Sequence, residues 1–217
     1  MEKTENSIVD GVIWKQLLLF FFPILIGTFF QQLYNTVDTV VVGQYVGKEA
    51  LAAVGTTGTV INLLVGFFVG VSSGATVIVS QFFGAEDREN VSKAVHTSMA
   101  LAIVGGVVIM VVGFVSARPV LVAMSVPEEI LEDALLYMNV YYAGIIANMI
   151  YNIGTGILRA IGDSRMPLYI LIVCCLANVV LDLLFVVVFH WAVFGVAFAT
   201  VLSQVISAAL ILVRLMR

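Results

Sequence analysis

The sequence predicts an all-α membrane protein, a single bundle of six transmembrane helices, and three observations carry that expectation. Of the 217 residues, 61% are hydrophobic and only 11% are charged, about half the charge of an ordinary soluble domain. Runs free of Asp, Glu, Lys and Arg recur at 16–37, 50–85, 94–117, 134–158, 166–181 and 183–213, and about 20 apolar residues cross a hydrocarbon core. The basic residues also segregate to one side of the spans these runs define.

The first span, about 15–43, contains Pro23, which removes a backbone hydrogen bond to the preceding turn and is expected to bend the helix. The second, about 52–82, is counted once, because Gly55, Thr56, Thr57 and Gly58 mark its start and Gly84 its end. Its Gly66, Gly70 and Gly74 recur every four residues, a small-residue stripe expected to let another helix approach closely. The third and fourth spans are about 94–116 and 132–158. The fifth and sixth, about 167–189 and 192–213, divide at FHWAVFG, where His190 and Trp191 form a pair typical of a membrane–water boundary.

Lys and Arg concentrate on the cytoplasmic side of membrane proteins. With the N-terminus inside, eight of the ten basic residues are internal: Lys3, Lys15, Arg88, Lys93, Arg159, Arg165, Arg214 and Arg217, leaving Lys48 and Arg118 outside. Both termini, including the segment 1–14, are therefore expected in the cytoplasm. No small-residue cleavage site follows the first apolar run, so a removable signal peptide is not expected. Cys174 and Cys175 are adjacent in a predicted helix, where they cannot bridge each other, and are read as packing residues. Neither a cofactor nor a nucleic-acid partner is expected; the lipid bilayer is the one certain surrounding.

Two of the fourteen acids, Asp38 and Asp182, stand inside spans. A carboxylate near mid-bilayer costs about 3 kcal/mol on insertion scales, so such residues usually face the bundle interior and serve a pathway. At about 1.5 Å of rise per residue, Asp38 lies about 35 Å above Lys15 and Asp182 about 26 Å above Arg165, both in the outer half of the membrane. Thr200 lies about 14 Å below Trp191 and so reaches a similar level. Asn178 precedes Asp182 by four residues, which puts both on one helix face. Two carboxylates, an amide and a hydroxyl with no Lys or Arg in any span make an oxygen-rich pocket that calls for a cation. A proton satisfies it; so does sodium, a hard cation that takes oxygen ligands, with Asp38 and Asp182 as the charged donors. The residues leave both open.

Four stretches carry a family resemblance: PILIGTFFQQLYNTVDTVVVGQYVGKEALAAVG from Pro23, GVSSGATVIVSQFFGAED from Gly70, GILRAIGDSRMP from Gly156 and LANVVLDLLFVV from Leu176. Across nearly its whole length the chain resembles the amino-terminal lobe of the multidrug and toxic compound extrusion (MATE) family. The resemblance implies a cation-coupled antiporter, driven by H+ or Na+, that exports bulky, mostly cationic organic compounds from a prokaryotic inner membrane. It also implies that Asp38, Asn178, Asp182 and Thr200 bind the coupling ion, that Asn152 belongs to the same network, and that Gln31, Tyr34 and Pro23 line the cleft or gate it. Simple depth disputes one assignment: Asn152 is only about 10 Å from internal Arg159, and Asn148, one turn higher, fits better. Family members have two six-helix lobes and this chain has one, so the resemblance implies a partner lobe, either a missing half or a second copy.

Three other readings compete. A lipid-linked oligosaccharide flippase of the same superfamily would line its cleft with Arg or Lys, and no basic residue lies within these spans. An enzyme is not expected: AIGD, at 160–163, lacks the first glycine of an intramembrane aspartyl protease motif, and His96 and His190 stand at span ends with no serine elbow opposite. A non-transporting membrane subunit would be indifferent to loss of both intramembrane aspartates.

Overall fold

A computed structural model describes residues 13–216. The segment 1–12, with Lys3, and Arg217 lie outside the described residues. The described chain is helical, with no strand: α1 (Ile13–Val41), α2 (Lys48–Gly84), α3 (Arg88–Ala123), α4 (Glu128–Ala143), α5 (Ile145–Ala160), α6 (Arg165–Asp182) and α7 (Ala192–Leu215). Short π-helical turns, Val42–Val46 and Leu183–Val188, extend α1 and α6.

Five of these helices are long and apolar enough to span a membrane, and α4 with α5 passes the same test as one span bent by 52°. The stretch expected as one continuous helix over 132–158 is thus broken. Gly144 stands at the break, and a Cβ there would come within 2.7 Å of both methyls of Val201 on α7. A residue without a side chain lets α7 press into the elbow, and the run holds no Pro or charge to announce it. Pro23, by contrast, sits inside an uninterrupted α1.

The connections are tight. Gly47, at φ 124°, joins α1 to α2 in a conformation L side chains rarely adopt. Asp87 caps α3, accepting from the Asn90 N–H at 3.1 Å and from the Asn90 amide at 2.7 Å, and these bonds hold its carboxyl below the usual carboxylate range. Between α5 and α6, Asp163 accepts from the Met166 N–H at 3.0 Å and pairs with Arg214 of α7 at 3.1 Å. That aspartate, the AIGD residue, therefore does structural work at a helix junction.

Packing is uneven. The centre is α5, which lies against α2, α3 and α7 and buries Ile145, Met149, Ile153 and Ile157. At the edge, α1 leans mainly on α6 and leaves Leu17, Phe22 and Phe29 more than half exposed. Gly66, Gly70 and Gly74 do not meet another helix: a Cβ at any of them finds nothing within 4 Å. The expected packing stripe is an open face of this lobe.

Candidate functional site

The deepest polar cluster forms where α1, α6 and α7 meet, with α4 closing one side. Asp182 is fully buried and Asn178 1% exposed, at the end of α6, while Thr200 on α7 is 6% exposed. Asp38 is half-buried on the last turns of α1. Helix register explains the set: Asn178 and Asp182 are one turn apart on α6, and Tyr34 and Asp38 one turn apart on α1.

The bonds within the cluster are specific. The Tyr34 hydroxyl donates to Thr200 Oγ1 at 3.4 Å, tying α1 to α7. Asn178 satisfies its neighbours in one amide orientation: its N–H donates to Asp182 Oδ2 at 2.9 Å, and its oxygen accepts from the Thr200 backbone N–H at 3.3 Å. The carboxyl groups of Asp38 and Asp182 stand within hydrogen-bonding reach of each other. In each, Oδ1 is buried without another partner. No basic side chain answers them: among the described residues the ion pairs are Lys93–Glu89, Arg118–Glu132 and Arg214–Asp163, all at helix ends or turns. Two facing carboxyl oxygens out of water repel each other unless a proton or another cation lies between them.

Two residues missed by the sequence reading complete the pocket. Tyr137 and Tyr141 on α4 are 6% and 5% exposed, in the same buried neighbourhood as Tyr34 and the two aspartates. Their four-residue spacing put them on one face, but buried tyrosines in an apolar helix read as core. From Tyr141 a second network descends: the Asn148 amide donates to its hydroxyl at 3.4 Å, Asn152 donates to Asn148 Oδ1 at 2.9 Å, and Ser72 Oγ donates to the Asn152 carbonyl at 2.8 Å. Asn148 and Asn152 thus act as a pair below the acids, Asn148 the nearer through Tyr141, and neither bonds to an aspartate. Gln31 is exposed on α1 and Pro23 lies further down the same helix; neither joins the cluster.

The sequence pattern of the MatE family matches residues 23–184, a stretch that holds both aspartates. The chain belongs to the MatE family. This MatE chain is 29% identical over 207 residues to the probable multidrug resistance protein YoeA of Bacillus subtilis, which covers 94% of this chain and 45% of that protein. It is 30% identical over 169 residues to a probable multidrug resistance protein NorM of Bacillus cereus, covering 77% and 37%. Among solved structures, an outward-facing MATE transporter superposes with a TM-score of 0.92 at 28% identity, over 99% of this chain and 48% of the other. An inward-facing one superposes at 0.81 and 30% identity, over 85% and 42%. The MatE chain therefore spans about half the length of the relatives it matches, and its fold is that of one MATE lobe.

Proposed function

We propose that this chain is one lobe of a drug exporter in a prokaryotic inner membrane, both termini cytoplasmic, in which Asp38 and Asp182 take up a cation that drives export of organic cations. The observation that carries the reading is the facing pair of carboxyl groups, split between α1 and α6, with a buried unpartnered oxygen on each. The names of the relatives, probable multidrug resistance proteins, support drugs as the cargo.

Of the two cations we take the proton, which two adjoining carboxyl groups can share without any further ligand. The Asn178 N–H donates to Asp182 in the orientation that also satisfies Thr200, a bond that either protonation state of the carboxyl can accept. A sodium ion would draw oxygens from Asp38, Asp182, Thr200 and Tyr34, and would gain the Asn178 oxygen only if that amide gave up its bond to the Thr200 backbone. The open glycine face of α2 and the exposed polar face of α1, with Gln31, Gln32 and Asn35, fit a second six-helix lobe across a cleft. Ion and cargo must favour different arrangements of the lobes, because a ligand with equal affinity for both shifts nothing.

The test is reconstitution in liposomes, alone and with a second lobe supplied, following a fluorescent organic cation under imposed proton and then sodium gradients. Asp38→Asn and Asp182→Asn are each expected to abolish gradient-driven movement while leaving membrane insertion intact. Movement at the native rate in both variants would overturn the reading. A response to sodium at constant pH would replace the proton with sodium.

A further inference from the structure

Away from the acid pair, a cavity of about 390 Å³ opens between α3 and α4, lined by Phe114, Ala117, Arg118, Glu132, Leu136 and Asn139 among others. Its position relative to the bilayer follows from composition. On α3, Val104, Val111 and Val115 are 62%, 54% and 76% exposed, so this flank faces hydrocarbon. Arg118 lies in the last turns of α3 and Glu132 in the second turn of α4, beside the turn at Pro127, which places the polar mouth at the membrane–water boundary and Phe114 and Leu136 below it.

Three side chains of this groove have no use in packing alone. Arg118 Nη2 and Glu132 Oε1 approach only to 3.8 Å, with their side chains 67% and 79% exposed, so each keeps most of its hydrogen-bonding capacity. Below them Asn139, half-buried on an otherwise apolar flank, makes no side-chain hydrogen bond among the described residues yet borders the cavity. A polar amide on a lipid-facing surface without a partner is unfavourable. Cation and anion side by side over an amide and an apolar groove match one amphiphile.

We propose that this groove binds a zwitterionic phospholipid with a primary ammonium headgroup, of the phosphatidylethanolamine class. Arg118 meets the phosphate, Glu132 the ammonium, Asn139 donates to an ester carbonyl, and an acyl chain lies along Phe114 and Leu136. The chemistry discriminates among lipids. A phosphatidylcholine headgroup offers Glu132 no N–H donor, and a phosphatidylglycerol headgroup offers it hydroxyls but no cation to offset the lipid's phosphate.

The purified full chain, given an equal mixture of the three lipids with identical acyl chains, is examined by native mass spectrometry. The ethanolamine lipid is expected to be retained about threefold over each of the others, the scale an exposed charged pair supports. Glu132→Gln should erase that preference and bring the three lipids to equality, while Arg118→Gln and Asn139→Leu should each lower retention of all three without changing their order, because all three share the phosphate and the ester carbonyls. Far-ultraviolet circular dichroism confirms that each variant keeps its helices. Equal retention by the native chain, or an unchanged preference for the ethanolamine lipid in Glu132→Gln, overturns the proposal. So does displacement of the lipid by millimolar inorganic phosphate or soluble phosphoethanolamine, which would assign the groove to a small ion.

Discussion

Helices α1 and α5 cross the same lobe under opposite conditions. The central helix α5 is surrounded by α2, α3 and α7, and nine of its sixteen residues are buried. The edge helix α1 leans on α6, and only 6% of its membrane-crossing window is buried inside the lobe. The two aspartates divide along the same line: Asp182 is fully buried within α6, braced by Asn178, whereas Asp38 rides on α1. Any change of charge between them is met by one fixed partner and one lightly held partner. Movement should therefore appear in α1, because packed interiors resist continuous deformation.

The sharpest way to break this comparison is to add one methyl group to each helix. At Gly154 of α5, a Cβ would collide with the Cγ2 methyl of Ile211, which is fully buried and cannot swing aside. At Gly27 of α1, a Cβ would meet Leu171 at 3.5 Å, ordinary contact. Gly154→Ala is expected to destabilise the lobe by about 1–3 kcal/mol through overpacking. Gly27→Ala should be neutral or stabilising by up to about 1 kcal/mol, since alanine favours helix. Thermal unfolding in detergent measures both, and equal effects would show that α1 is packed as tightly as α5.

The same contrast explains what could be read from the chain beforehand. Charge-free runs mark the spans because the bilayer excludes charge, and Asp38 and Asp182 stand out for the same reason. Asn178 follows from helical spacing and Thr200 from depth. What stayed hidden depends on contact between distant segments. Gly144 breaks a helix only because Val201 fills the space beside it, and nothing within 134–158 says so. Tyr137 and Tyr141 look like core until α1 brings Tyr34 beside them. Gly66, Gly70 and Gly74 carry the pattern of a helix contact, but a stripe of small residues does not tell which helix, if any, lies against it.

A smaller effect sharpens the role of the link between α1 and α7. The Tyr34–Thr200 bond is long, at 3.4 Å, so Tyr34→Phe should cost no more than the lower end of the usual range, about 0.5 kcal/mol. Its consequence should be local. Hydrogen exchange is expected to accelerate in α1 around Asp38 and to stay unchanged in α5, because opening of a lightly held segment does not require opening of the core. Equal acceleration in both helices would mean that α1 and α5 open as one unit.

A further modest effect lies at the end of α5, where Asp163 joins three helices through two different bonds. One oxygen accepts from the Met166 N–H in the first turn of α6, and the other pairs with Arg214, whose side chain is 44% exposed. Asparagine keeps the first bond and loses the charge of the second. Asp163→Asn should therefore change unfolding by no more than about 0.5 kcal/mol, the scale of an exposed pair. Asp163→Ala loses both bonds and should cost about 1 kcal/mol, most of it from the first turn of α6. If alanine and asparagine fall together, the salt bridge and not the capping bond holds the junction, and raising the salt concentration should then reproduce most of the loss in the native chain. If they separate as expected, salt should leave the native chain almost unmoved, and the anchored side of the lobe owes its rigidity to buried packing and backbone bonds rather than to surface charge.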